Sequence, residues 1–285
     1  MHWQTSRYRI DLSRPRVMGI VNVTPDSFSD GGQFADARLA LAHCEKLLRD
    51  GADILDIGGE SSRPGTTPVP LDIELARVLP VLREAVRLGV PVSVDTYKPQ
   101  VMREALALGV DIINDIWALR QPGALDAVAS HPACGACLMH MHGEPATMQS
   151  APMEGDAVPQ VREFLRSASV RLQGRGVASE RIAWDPGIGF GKTVRQNFSL
   201  LLRQHDLVGA GYPLLVGWSR KSSLGAVTGL GPDERLAPSV AAALLAAQRG
   251  ATIVRVHDVA ETVAALKVLE AMRSADGAGA ATMHP

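Results

Sequence analysis

Short aliphatic and β-branched runs alternate along this chain with longer stretches whose apolar residues recur at helical spacing. The runs are RVMGIVNVT from Arg16, DILDIGG from Asp53, PVSVDT from Pro91, DIINDI from Asp111, ACLMHM from Ala136, RIAWDPG from Arg181, PLLVGWS from Pro213 and TIVRVHD from Thr252. Their length and composition predict eight strands. Between them, Leu75, Val78, Leu79, Leu82 and Val86 follow the i, i+3, i+4, i+7, i+11 rule, as do Val161, Phe164, Leu165, Ala168 and Leu172. That spacing predicts amphipathic helices. Pro80 inside the first predicts a kink or a late start, and Asp258 with Glu261 predicts a capping box before the last helix.

A faint repeat marks the passage from helix to strand: Gly51-Ala52-Asp53-Ile54, Gly109-Val110-Asp111-Ile112 and Gly250-Ala251-Thr252-Ile253. Each Gly suits a helix C-cap feeding a strand. Eight βα units in 285 residues fit an α/β chain folded as a single (β/α)8 TIM barrel better than an open doubly wound sheet. The barrel is expected over 15–273, after an N-terminal extension, 1–14, and before a flexible C-terminal tail, 274–285, that lacks periodicity.

Composition narrows the function. With 46% hydrophobic and 21% charged residues the chain can bury a large core. Its formal net charge of -1, both signs interspersed, offers no field to attract nucleic acid or anionic lipid. No signal-like N-terminus and no apolar stretch of the roughly 18 residues a membrane span needs are present, so a cytoplasmic protein is expected. Three cysteines cannot all pair, which fits a reducing compartment. Cys134 and Cys137, followed by His140 and His142, imitate a metal motif. On an extended strand, however, Cys137 and His140 point to opposite faces, so Cys137 is expected in the core and Cys134 in a loop.

A barrel of this kind places its chemistry where the strands end. Those ends carry Asn22; Glu60, Ser61, Ser62 and Arg63; Asp95; Asn114; His140; Asp185; Ser219, Arg220 and Lys221; and Arg255 with His257. Asp95, Asn114 and Asp185 suit a flat, nitrogen-rich ring with N–H donors, and Arg63, Lys221, Arg255 and His257 suit a phosphate or pyrophosphate. Arg255 and His257, two apart on a strand, face the same way. Asp56 and Glu60 read as structural hydrogen-bond anchors, because acids on a barrel strand are costly unless paired. Two loops rich in Gly, Pro and Ser, TPDSFSDGG from Thr24 and GGESSRPGTTPVP from Gly58, have the composition of loops that close over substrate.

The stretch DPGIGFGKT from Asp185 imitates a nucleotide-binding P-loop but is one residue short of the G-x-x-x-x-G-K-[ST] register. It is expected instead to place Asp185 in the pocket, with Phe190 packed against the ligand, Gly189 and Gly191 letting backbone approach it, and Lys192 at the surface or helix start.

The segments MGIVNVTPDSFSDGG, GADILDIGGESSRPG, VSVDTYKP, IINDI, LMHMHG, WDPGIGFGKT, LLVGWSRKS and IVRVHDV together resemble the bacterial dihydropteroate synthases, in order and over almost the whole chain. The resemblance implies a homodimeric barrel that condenses 6-hydroxymethyl-7,8-dihydropterin pyrophosphate with p-aminobenzoate. It implies a pterin pocket of Asp95, Asn114, Asp185 and Lys221 walled by Met139 and Phe190, and pyrophosphate contacts from Ser61, Arg63, Arg255 and His257. It further implies a Mg2+ contact at Asn22 and an aminobenzoate site of Phe28, Ser62, Pro64, Lys221 and Ser222. Asp95, Asp185, Lys221 and Arg255 would carry the catalysis. Ser62 stands where the family more often has Thr, Trp218 where Met is usual and His142 where Gln is common. A pterin-binding methyltransferase domain of the same fold is the alternative, although it would not need the cationic strand ends.

Overall fold

The computed structural model describes residues 1–24, 33–61, 65–144, 147–148 and 150–279. A short antiparallel pair, β1 (His2–Gln4) and β2 (Arg9–Asp11), precedes eight parallel strands. These are β3 (Arg16–Asn22), β4 (Ile54–Gly58), β5 (Val92–Asp95), β6 (Ile112–Asp115), β7 (Gly135–Met139), β8 (Ile182–Asp185), β9 (Leu215–Val216) and β10 (Ile253–Val256). They coincide one for one with the eight expected runs. The sheet order is β8-β7-β6-β5-β4-β3-β10-β9, and a Trp184–Leu214 bridge joins its two edges into a barrel.

Helices surround it: α1 (Gln33–Arg49), α2 (Leu71–Ala85), α3 (Pro99–Ala107), α4 (Ala124–Ala129), α5 (Ala157–Gln173), α6 (Val194–Leu202), α7 (His205–Val208), α8 (Ser222–Thr228), α9 (Leu236–Gln248) and α10 (Val259–Gly279). The repeated Gly51, Gly109 and Gly250 all take left-handed φ at the helix-to-strand passage, as the repeat predicts. Two expectations change. Pro80 lies within α2, which begins at Leu71 and not late; the ring sits on the exposed side, where water can satisfy the carbonyl it frees. α10 continues to Gly279, past the expected barrel end at 273, because alanine favours helix even where apolar periodicity is absent.

The two-residue period of a strand organises the barrel interior. Met18, Ile54, Ile112, Cys137, Ala183, Leu215 and Ile253 form an apolar cluster inside it. Two positions further along the same strands, the inward residues become Asp56, Asn114, Met139, Asp185 and Arg255. Seven of the eight strands thus carry an apolar foot, and four of these a polar head in Asp56, Asn114, Asp185 or Arg255, which is why acids can occupy barrel positions at all.

The N-terminal extension seals the apolar end. Trp3, Ile10 and Leu12 join the interior cluster, and Trp3 donates its indole N–H to the Arg181 carbonyl at 3.0 Å. The Arg181 guanidinium in turn donates to the carbonyls of Cys134 at 2.8 Å and His131 at 2.9 Å. Residues 1–14 therefore plug the barrel bottom, leaving the strand ends above as the open face.

Candidate active site

Arg255 stands at the centre of the mouth. Its Nε donates to Asp56 Oδ2 at 2.6 Å and its Nη2 to Asp95 Oδ2 at 2.7 Å. Asn114 donates to the same Asp56 oxygen at 3.1 Å. Asp56 is wholly buried, where a carboxylate is costly unless paired and hydrogen-bonded; it is the anchor its position predicts. Desolvation alone would lower the Arg255 pKa, but the Asp56 and Asp95 carboxylates reverse that and raise it. Burial pushes Asp95 up to about 7, against the opposing pull of Arg255 and with the charge of Asp56 adding to the rise. Arg255 is thus shared between the residues expected for the ring and the side expected for the anion.

Across the barrel, Asp185 pairs in register with Met139. Burial raises its pKa as well, opposed first by the Gly187 N–H, which donates to Oδ1 at 2.7 Å, and then by Lys221 and Arg255. The turn that follows cannot use side chains at two positions. Gly187 and Gly191 both have φ of +65°, and a Cβ on them would meet the His140 and His142 carbonyl oxygens at 1.9 and 2.1 Å. Both glycines serve a close approach to the segment after β7, a role not expected for Gly191, which the sequence pattern assigns, with Gly189, to backbone approach to the ligand.

Lys192 is the main correction. It is buried, not at the surface, and its Nζ donates to the carbonyls of Gly187 at 2.8 Å, Phe190 at 3.1 Å and His140 at 3.3 Å. Desolvation lowers its pKa to about 7, offset in part by Asp185. Thr193 then closes a capping box with Gln196 at the head of α6. The turn holds Phe190 in an apolar group with Met139, Ile116, Met141 and Met148. The Lys221 ammonium sits 4.2 Å from the Phe190 ring centroid, close enough for cation–π attraction.

On the remaining rim, His257 Nδ1 lies 2.9 Å from Ser219 Oγ. Asn22 and Ser61 are partly buried at the ends of β3 and just beyond β4, and Ser222 is the exposed first residue of α8. The Ser61 carbonyl accepts from Thr66 at 2.8 Å. A cleft lined by Glu60, Ser61, Asp95, Tyr97, Ile116 and Trp117 opens beside Arg255. Glu60 is held by Tyr97 at 2.8 Å and by Lys98, which also pairs with the buried Glu74. Phe28, Ser62, Arg63 and Pro64, with most of the first mobile-loop candidate, lie outside the described residues.

Two polar strand ends leave the pocket. His140 packs edge-on against Phe164 of α5, with centroids 4.9 Å apart, and burial followed by the nearby Lys192 charge lowers its pKa to about 2. Arg220 pairs with Asp258 at 2.6 Å. Trp218 packs in the outer core at 5.3 Å from Phe198, and His142 is exposed. Cys134 and Cys137 are both buried free thiols, and no metal-holding group of His, Cys, Asp or Glu occurs among the described residues. Ile116, missed in the sequence, follows from the same two-residue period that places Asn114 inward. No comparable pattern announces Lys192.

Comparison with known proteins places the chain in a family. The family described as pterin binding enzyme matches residues 18–257. The dihydropteroate synthase of Neisseria meningitidis serogroup B is 51% identical, over 95% of this chain and 97% of its own length. The Burkholderia cenocepacia dihydropteroate synthase, solved with 7,8-dihydropteroate, superimposes with a TM-score of 0.88 at 52% identity, covering 96% of this chain and 97% of that one. The Xanthomonas albilineans enzyme, solved with 4-aminobenzoic acid, gives 0.90 at 50% identity, covering 96% and 99%. The chain belongs to the pterin-binding enzymes and, within them, to the dihydropteroate synthase family.

Proposed function

We infer that this chain condenses 6-hydroxymethyl-7,8-dihydropterin pyrophosphate with p-aminobenzoate, releasing pyrophosphate and forming 7,8-dihydropteroate for folate biosynthesis. The observation that carries the reading is the polar layer at the barrel mouth: Asp95, Asn114 and Asp185 face inward around Arg255. Acceptors in a desolvated setting suit the N–H edge of a pterin. Met139 and Phe190, beside Ile116, offer its flat faces an apolar wall.

In the mechanism proposed, the bond between the pterin methylene and the pyrophosphate oxygen breaks, its electron pair leaving with pyrophosphate. A bond forms from the methylene carbon to the arylamine nitrogen, and water or the departing pyrophosphate takes the amine proton. The arylamine is already a neutral nucleophile, so positioning dominates over base catalysis. Asp95 and Asp185 hydrogen-bond the ring and stabilise the positive charge it gathers as the bond breaks. Arg255 spends Nε and Nη2 on carboxylates, which fixes the guanidinium so that its remaining edge, with His257, Ser61 and Arg63, can meet the leaving anion. By the family resemblance Lys221 would serve both ring and arylamine, with Ser222, Ser62, Pro64 and Phe28 completing the arylamine site.

Asn22 supplies one amide oxygen on the inner face of β3, consistent with Mg2+, which takes few protein oxygens and completes its shell with water and phosphate. Bound there, Mg2+ would neutralise charge on the pyrophosphate. A homodimer is also proposed, supported by exposed Leu245 on α9 and Val268 and Met272 on the adjoining α10. No helix among the described residues is long and apolar enough to cross a membrane, in keeping with the proposed cytoplasmic location. Incubation with both substrates, followed by chromatography and mass analysis, should yield 7,8-dihydropteroate; no product from folded protein overturns the reading.

A further inference from the structure

Among the described residues no carboxylate pairs with the buried Lys192 side chain, an arrangement that desolvation makes costly for its charged form. It persists because its three N–H donors meet three carbonyl oxygens. Two of these, of Gly187 and Phe190, belong to the turn after β8, and the third, of His140, belongs to the segment after β7. One ammonium thus ties together the turn bearing Asp185 and Phe190 and the strand end bearing Met139. The contact is tight enough that a Cβ at Gly187 would strike the same His140 oxygen.

A second buried side chain secures the opposite side of the turn. Asn197, on α6, accepts from the Gly189 N–H at 2.9 Å and donates to Ser223 Oγ at 2.9 Å. Ser223 lies in the first turn of α8, directly after Lys221 and Ser222. The Lys221–Phe190 contact is therefore framed by Lys192 on one flank and Asn197 on the other. Neither side chain is required to touch substrate for the wall to depend on it.

We propose that Lys192 is a positioning residue for the pterin site, holding the Gly187–Gly191 turn against the end of β7 so that Asp185, Phe190 and Met139 present one preformed surface to the ring. The proposal rests on the pterin-binding reading above. It predicts that loss of the ammonium changes affinity for the ring more than the rate of the bond-making step, because Phe190 and Met139 act on the ring alone while Asp185 keeps its hydrogen bond from the Gly187 N–H.

The test is fluorescence titration of the full-length protein with 6-hydroxymethylpterin, alongside kcat and KM for the pterin pyrophosphate and a thermal unfolding curve. Lys192→Met keeps the side-chain length and removes all three donors; Lys192→Gln is the milder variant and keeps two. Loss of these buried hydrogen bonds should weaken pterin binding and raise KM by about tenfold or more in Lys192→Met. Lys192→Gln should fall between that variant and wild type, with kcat within about threefold of wild type in both. Pterin affinity equal to wild type in a folded variant, even one of lowered stability, would show a purely structural role and overturn the proposal. A kcat loss with unchanged affinity would overturn it too. Wild-type protein that binds no pterin would instead bring down the functional reading, and the proposal with it.

Discussion

Arg255→Met removes the cation from between Asp56, which is wholly buried, and Asp95, whose side chain is 14% exposed. Breaking a buried pair by deleting one partner costs about 3–5 kcal/mol, and for a chain of this size each kcal/mol corresponds to roughly 2 °C in Tm. Asp56→Asn removes the charge at 2.6 Å from Arg255 Nε. If that contact is a charge-assisted hydrogen bond, the two variants must couple by about 1.5–3 kcal/mol. The double variant should then be more stable than the sum of the single losses. Urea unfolding of all four proteins measures the cycle.

The sign of its pH dependence also follows. Asp95, raised to about 7 by burial and held down by Arg255, would rise further in Arg255→Met. The folded variant would then keep a proton that the unfolded chain releases, and its stability would fall as pH increases above about 7, by up to about 1.4 kcal/mol per unit. The wild-type contribution from this group is already lost by that point. Its deficit relative to wild type should therefore grow from neutral to mildly alkaline pH. Strict additivity within about 0.5 kcal/mol, or a deficit that is flat with pH, would refute the central ion-pair network.

Trp3→Ala should cost about 3–5 kcal/mol through the cavity it leaves in the plug, while kcat and pterin affinity remain near wild type because the change lies at the closed end; an equal loss of binding would contradict this separation. His140, with its pKa lowered to about 2 by burial, contributes stability present above its unfolded value near 6.5 and lost as pH falls below it, by about 1.4 kcal/mol per unit. Unfolding free energies of wild type and His140→Phe should accordingly diverge below that pH in favour of the variant, and parallel curves would refute a buried neutral imidazole. Gly187→Ala should distort the turn and weaken pterin binding, whereas Gly176→Ala, where φ is +86° with nothing within 4 Å, should cost only about 1–2 kcal/mol of backbone strain; fluorescence titration and unfolding of both variants separate the two effects.

The fold was legible because each strand announces itself by its β-branched run, and several announce themselves again by the change from apolar foot to polar head. Ile54 followed by Asp56, and Ile253 followed by Arg255, give both the strand and its inward face. The site residues on strands shared that legibility. What the pattern could not give was side-chain reach. Lys192 lies beside a helix start, where lysine is usually solvated, and only the folded turn shows three carbonyls converging on it. Arg255 reads as an anion contact, yet its Asp56 partner lies 199 residues away in sequence. Trp3 and Ile10 alternate too briefly to reveal a plug.

The most direct measurement is pyrophosphate release from 6-hydroxymethyl-7,8-dihydropterin pyrophosphate, followed with and without p-aminobenzoate in wild type and Asp185→Asn. Release should require the arylamine, match dihydropteroate mole for mole, and fall in the variant by the roughly 2–4 kcal/mol of lost transition-state stabilisation expected for one such group. Release that ignores the arylamine, or an Asp185→Asn enzyme that turns over at the wild-type rate, would contradict the account.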